Sequence, residues 1–473
     1  MNGTLDRFFR LTENRTTVRT EILAGLTTFL TMAYIIVVQP GVLSGVMFDK
    51  NTGMDFNSVM AATCLSAALA TTIMALYARY PIAQAPGMGQ NFFFVFTVIP
   101  AAAAAGFSNS WQTALGAVFI SGVVFLILSL MGMREKLMDA IGEDMKHAIA
   151  VGIGLFIAFI GLQNASLIVA SPGTLVTLHP DFASPDLLIF FFGLLLMTVL
   201  SVRGVKGAIL WGILGGTLLA VILKIGLPLL PGAANSPTVT GSMLMKRFVM
   251  ADAVVAAPPS LSPTLLKMDL THALNPVMLP YAVIFLFMLT FDTIGTLVGI
   301  GQQAGFIKDN KLPRAKEAFV SDAVGTVAGA AMGTSTVTSY IESSTGVEQG
   351  GRTGLTGLVV AAMFLMALFF SPLARMMGSY APITAPALVF VGAMMIRNVS
   401  RIRWTDYSEA IPAFLVILGI PLSYSISDGL ALGFIAHPAI KILGGRRHET
   451  SWLLILLGVT LVLYFVFVRT RVG

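Results

Sequence analysis

The chain has 473 residues, 56% of them hydrophobic and only 11% charged, with a mean hydropathy of +0.85. Soluble domains carry about 25% charged residues, so a water-soluble globule is excluded, and repeated apolar segments near the ~20 residues needed to cross a bilayer predict an all-α polytopic protein embedded in lipid. The net charge of +6 sits in short loops between apolar segments and excludes a nucleic-acid surface, while a lone Cys64 and five scattered histidines exclude a disulfide framework, a thiolate cluster and the HExxH spacing, leaving no metal or cofactor motif.

The first 20 residues are too charged for the apolar core of a signal peptide. They predict a cytoplasmic amphipathic lead-in to the first span. About fourteen spans follow, at 21–44, 58–77, 84–104, 112–132, 143–165, 187–202, 205–229, 276–304, 318–332, 334–350, 353–372, 382–398, 408–424 and 427–444. Each is near crossing length or is shortened by Gly and Pro. With the N-terminus and its Arg7, Arg10, Arg15 and Arg19 in the cytoplasm, every second short loop should be basic. Those loops hold Arg79; Arg134 and Lys136; Arg203 and Lys206; Lys308, Lys311, Arg314 and Lys316; Arg352; Arg397, Arg401 and Arg403; and Lys441, Arg446 and Arg447. The opposite loops are poor in positive charge: 166–186 has none and 372–381 has only Arg375, while the longer 230–275 loop, where the rule is less strict, has Lys246, Arg247 and Lys267. The segment 451–468 has span-like hydropathy, but crossing would put Arg469 and Arg471 outside. Both a further span and a helix packed against the periphery remain open for it.

Two halves are visible, joined by a Pro-rich external linker over 230–275 that carries Pro231, Pro237, Pro258, Pro259 and Pro263. Each half has a polar, Gly-interrupted segment as its third span, 84–104 and 334–350. Seven spans in the first half make the second start on the other side of the membrane, so the two seven-span repeats are inverted. A matched pair of interrupted segments is the sequence pointer to a transporter's binding site.

The first break reads PGMGQN. Pro86, Gly87 and Gly89 remove helix stability, and Gln84, Gln90 and Asn91 offer amides that both donate and accept. Unwound backbone is tolerated at this depth only where protein or a cavity supplies its partners. Phe92, Phe93 and Phe94 follow and read as packing residues. In the eighth span Asp292 stands among apolar residues near mid-membrane, where a charge costs about 3 kcal/mol or more. Thr293 and Thr296 lie beside it on adjoining helix faces. The second break, GTSTVTSYIESSTGVEQGG from Gly333, is rich in Ser and Thr and carries Glu342. Intramembrane carboxylates are functional candidates by default. One of the pair Asp292 and Glu342 suits the N–H groups of a ligand and the other suits uptake of a proton. Asp322 has two candidate roles, a helix cap or a support for the site, of which the cap is favoured; Glu348 reads as interfacial, and His147 and His437 as packing residues. Gly152 and Gly154 read as small helix contacts, since no strand precedes them.

The three stretches QAPGMGQNFFF, FDTIGTLVGI and GTSTVTSYIESSTGV resemble the signatures of the AzgA-like adenine–guanine–hypoxanthine permeases, within the nucleobase–cation symporter group that includes uracil and xanthine permeases. The resemblance runs through nearly the whole chain. It implies fourteen spans, with a core domain from 21–132 and 276–372, a gate domain from 133–229 and 373–446, and short strands in spans 3 and 10. The extra segment 447–473 is outside that scheme. The resemblance also implies a purine base bound by Asp292 and Glu342, both proton-coupled, with Asn91, Tyr340, Ile341 and Thr296 close by. A proton would be the coupling ion, the protein would be a multi-pass component of the cell membrane, and it could form a homodimer through the gate domains. Where uracil permeases have Glu and, four residues on, His, this chain has Asp292 and Thr296, leaving more room and one proton partner fewer. The rival readings are a uracil or xanthine permease and a sulfate-type anion transporter of the same architecture. No nucleophile motif or metal spacing points to an enzyme.

Overall fold

The computed structural model describes residues 2–48, 50–131, 142–230, 232, 236–306 and 312–463. Arg134, Lys136, Pro231, Lys308, Lys311, Arg469 and Arg471 lie outside them. Among the described residues, nine helices are long and apolar enough to cross a membrane, from Val18–Leu43 to Ala381–Arg401. Shorter helices at Met88–Ala104, Ala315–Met332, Tyr407–Ser423 and Ile426–Leu443 occupy most of the other predicted spans. Polar caps start several of them at the expected ends: Thr17, Asp55, Ser184, Thr353, Asp406 and Ser425 each accept a hydrogen bond from a first-turn N–H.

The two halves interleave. Helix Ser110–Met131 packs on Ala315–Met332, while Phe56–Ile73 and Val18–Met32 both pack on Gly354–Ala367. Glu143–Asn164 packs on Ala381–Met395 and Tyr407–Ser423, and Pro185–Val202 packs on Ala208–Gly226. Gly154 and Gly392 let two of these helices meet backbone to backbone: a Cβ on Gly392 would stand 2.4 Å from the Gly154 carbonyl oxygen. This is the small-residue contact expected of Gly154.

The breaks in spans 3 and 10 are strands. We label them β1 (Gln84–Pro86) and β4 (Val337–Ser339) in chain order. They pair antiparallel, Gln84 with Ser339, Ala85 with Thr338 and Pro86 with Val337. Inverted repeats bring corresponding segments together head to tail, so antiparallel pairing follows from the topology. Between them come β2 (Ile168–Ser171) and β3 (Leu175–Leu178), an antiparallel hairpin in the loop after Glu143–Asn164. That hairpin was not anticipated.

The linker is packed rather than loose: Leu244 and Phe248 are buried, and short helices form at Pro237–Thr240, Met243–Arg247 and Leu270–Ala273. The expected loop at 372–381 is largely helix, Ser371–Gly378, carrying Arg375. At the C-terminus the described helix Trp452–Leu463 lies against Ile426–Leu443, with Gly458 close to the Phe434 carbonyl and Pro438.

Candidate functional site

A polar sequence makes strands here because the unwound backbone finds partners. Gly87 N donates to Thr336 O at 2.9 Å and Tyr340 N to Ala83 O at 2.9 Å, extending the ladder by a rung at each end. The outer edges are met by hydroxyls of neighbouring helices. Gln84 N donates to Thr71 Oγ1 at 2.9 Å, and Thr326 Oγ1 donates to Val337 O at 2.8 Å. Three-residue strands inside a membrane thus leave few unmet groups.

Asp322 ties the strands to the eighth span. It is fully buried, the eighth residue of Ala315–Met332, and therefore not the cap expected of it. Oδ2 accepts from Thr293 Oγ1 at 2.6 Å and from Ser339 N at 3.1 Å. Oδ1 accepts from Ser339 Oγ at 2.8 Å and from Gln84 Nε2. Thr293 therefore serves Asp322 rather than its neighbour Asp292.

Asp292 is the fourteenth of 25 residues in Leu279–Gln303. It is exposed to a cavity of about 870 Å³. Gln90 Nε2 donates to its Oδ2 at 3.2 Å; among the described residues that is its one hydrogen-bond partner. Gln90 is itself 2% exposed, and among the described residues its Oε1 has no partner. Thr296, Gly295, Gly299 and Ile341 share the cavity wall with them. The wall continues through Ile153, Met288 and Phe434 to Glu143, Lys146, His147, Asn398 and Arg401.

The other expected residues lie off that wall. Glu342 is half-buried, just beyond β4, and Tyr34 OH donates to its Oε1 at 2.9 Å. Thr345 Oγ1 donates to the Glu342 carbonyl at 2.7 Å and meets Thr31 Oγ1 at 3.1 Å. Asn91 is fully buried and braces the strands: its Nδ2 donates to Gln39 Oε1, and its Oδ1 accepts from Ser335 Oγ. Tyr340 spends its N–H on the ladder and donates its hydroxyl to Pro86 O at 2.5 Å. Ile341 alone of this stretch reaches the cavity. The phenylalanine run packs as expected, Phe92 against Phe156 and Phe93 against Phe285. His437 pairs through Nε2 with Glu409 at 3.2 Å, and Glu348 with Lys206 at 2.8 Å.

Gln39 and Tyr34 are not among the residues singled out from the sequence, and Gln90 is named there only for its amide, beside Gln84 and Asn91. Gln39 and Tyr34 are polar residues inside the first apolar span, which was the available signal. Gln90 stood in the break itself, but nothing local distinguished its amide from that of Asn91.

The sequence profile of the Permease family matches residues 19–432. The guanine/hypoxanthine permease PbuO of Bacillus subtilis is 42% identical over 454 residues, covering 95% of this chain and 98% of that protein. The adenine permease AdeP of Escherichia coli is 39% identical over 469 residues, covering 98% and 97%. Among solved structures, the transmembrane domain of a cyanobacterium bicarbonate transporter, BicA, matches with a TM-score of 0.59 at 16% identity, over 88% of this chain and 97% of that one. The last likeness shows a shared fold and nothing about cargo.

Proposed function

This chain belongs to the Permease family, and on that premise we propose that it imports purine nucleobases (adenine, guanine and/or hypoxanthine) together with protons by alternating access. The observation that carries the reading is Asp292, an acidic side chain at mid-helix, opening on the cavity with one amide as its partner. A carboxylate accepts hydrogen bonds and donates none, so it suits the ring N–H groups of a base. The relatives' names, guanine/hypoxanthine and adenine permeases, support purines over uracil. A sulfate-type anion carrier would be expected to offer positive groups or helix N-termini, and an acidic residue deep in the cavity weighs against it.

Glu342 and Asp292 are our candidates for the proton. A bound proton removes the cost of a buried charge. Each charge entering with the base is worth about 2.3 kcal/mol per 100 mV of membrane potential. Spans 1–4 with 8–11 form the core that carries the strands, and spans 5–7 with 12–14 form the gate. The cavity has walls from both sets, Asp292 and Ile341 on one side and Ile153 and Phe434 on the other. Rocking one set against the other would expose it alternately. We place the protein in the cell membrane with its N-terminus in the cytoplasm, with the gate faces available for a homodimer.

The test is uptake of labelled hypoxanthine, adenine, guanine and uracil into cells lacking their own purine permeases, with and without a protonophore. Wild type, Asp292→Asn and Glu342→Gln are compared. Purine uptake that collapses with the protonophore and in both variants is the expected result. Uracil uptake alone would refute the substrate assignment, and purine uptake indifferent to the protonophore would refute the coupling.

A further inference from the structure

Glycines inside the long helices of this protein mostly have a visible reason. A Cβ on Gly354 would come 1.9 Å from the Ala75 carbonyl oxygen, and one on Gly122 2.9 Å from Thr326 Cγ2. Gly295 has no such neighbour: among the described residues, a Cβ there would meet no atom within 4 Å. Glycine in a helix interior is destabilising relative to alanine, so the position sacrifices helix stability and no packing contact requires it.

What Gly295 faces is the cavity. Asp292, Gly295, Thr296 and Gly299 stand at i, i+3, i+4 and i+7, on one helix face, and all four line it. Asp292 and Gly299 are about 10 Å apart along the axis at ~1.5 Å per residue. At the Gly299 end, Ile341 Cδ1 lies 3.5 Å from where a Cβ would be, so β4's continuation covers that position. At the other end stand the Asp292 carboxylate and Gln90, whose Oε1 is buried with no donor among the described residues. Between a polar end short of donors and an apolar end closed by Ile341, the wall is the bare backbone of Gly295 beside the Thr296 side chain.

Resting on the purine-carrier reading above, we infer that Gly295 sizes the substrate slot: the missing side chain makes the space in which a bicyclic base lies against the eighth span, with its N–H groups toward Asp292 and Gln90. Gly295 is thus a specificity-determining residue and not a structural one. Side chains added there project into open volume, so they should obstruct the base without disturbing the fold.

The test is a series, Gly295→Ala, Gly295→Val and Gly295→Leu, with initial rates of labelled hypoxanthine, adenine and guanine uptake normalised to the amount of protein in the membrane. Volume and helix propensity rank these residues differently, since Leu and Ala are both good helix formers and Val is poor. The expected result is a KM that rises in the order Ala, Val, Leu, by tenfold or more for Leu, with unchanged abundance and unchanged elution of the detergent-extracted protein. A KM within about twofold of wild type across the series overturns the inference. So does a ranking with Val worst and Leu close to Ala, which would mark a helix effect, or a fall in Vmax with KM unchanged, which would mark obstruction of movement rather than of binding. Wild-type protein that takes up no purine refutes the transport reading, and the slot assignment falls with it; wild-type uptake with a flat series refutes the slot assignment alone.

Discussion

Removing the Asp322 carboxyl should loosen the strand crossing before it changes anything else. Five groups converge on it: Thr293 Oγ1 at 2.6 Å, Ser339 Oγ at 2.8 Å, Ser339 N at 3.1 Å, Thr338 Oγ1 at 3.4 Å and Gln84 Nε2. The hydroxyls can rotate to other acceptors. The Ser339 N–H, fixed by the β4 backbone, cannot, and the Gln84 amide can turn only by disturbing its contact with Ser321 Oγ at 3.2 Å. Each buried donor left unmet costs about 1–3 kcal/mol. Asp322→Ala should therefore lose about 2–6 kcal/mol, two stranded donors at about 1–3 kcal/mol each. Asp322→Asn keeps one carbonyl oxygen, which can hold the Ser339 N–H, so its loss should be about 1–3 kcal/mol. The assay is thermal unfolding of detergent-purified protein alongside uptake per molecule in cells. Wild type, Asn and Ala should rank in that order in both. An Ala variant within about 0.5 kcal/mol of wild type would refute the view that Asp322 holds the strands to the eighth span.

Three further outcomes are expected. Tyr34→Phe deletes the 2.9 Å bond to Glu342; a bond of about 1 kcal/mol corresponds to roughly a fivefold loss of uptake, whereas unchanged uptake across pH would count against Glu342 as a proton site. Gly354→Ala drives a Cβ to 1.9 Å from the Ala75 carbonyl oxygen, and overpacking of about 1–3 kcal/mol should appear as reduced abundance in the membrane, in contrast to Gly295→Ala. Asp406 lies outside the spans, and its bonds with the Ser408 hydroxyl and N–H, with Arg446 adding to them, hold its carboxyl down at about 2. Its unfolded value is higher, about 3.9, so its stabilising contribution is complete above that pH and disappears as pH falls from about 4 toward 2. Melting curves of wild type and Asp406→Asn should accordingly differ near neutrality and converge on acidification through that window.

The span pattern was legible because a bilayer leaves the backbone one economical choice, the helix, and departures from it are conspicuous. PGMGQN and the Ser/Thr-rich stretch after Gly333 stood out for that reason; the second contains β4, while β1 ends at Pro86, the first residue of PGMGQN, and helix resumes at Met88. Their pairing was not legible from residue pattern alone. Gln84 and Ser339 are partners across 255 positions, and three-residue strands are too short for alternation to show. The same distance tipped Asp322 toward a cap rather than its other candidate role, a support for the site. Read along the chain it is an acid early in a helix, and only the fold brings Gln84, Thr293 and Ser339 to it. The β2–β3 hairpin is a different kind of miss. LIVASPGTLVTL has β-branched runs flanking a Pro-Gly turn, a local hairpin signal set in a short loop between two spans.

Asp292 and Glu342 look equivalent in sequence, each a single acid in a membrane-deep segment. Their surroundings separate them. Asp292 faces open volume and shares a wall with Gly295, Thr296 and Ile341. Glu342 stands on the first span's side of the crossing, held by Tyr34 and close to the Thr31–Thr345 contact. A base contacting Asp292 would not need to touch Glu342. Any influence of one on the other would have to pass through the few residues between them: β4, whose Ser339 is held by Asp322, then Tyr340 on the Pro86 carbonyl, then Ile341 at the cavity. Substituting Ile341 with alanine is the perturbation that touches the cavity end of this path and leaves both carboxyls in place. If the path couples the two acids, Ile341→Ala should alter the pH dependence of uptake as well as the KM for the base. A change in KM alone would mean that Ile341 only shapes the slot.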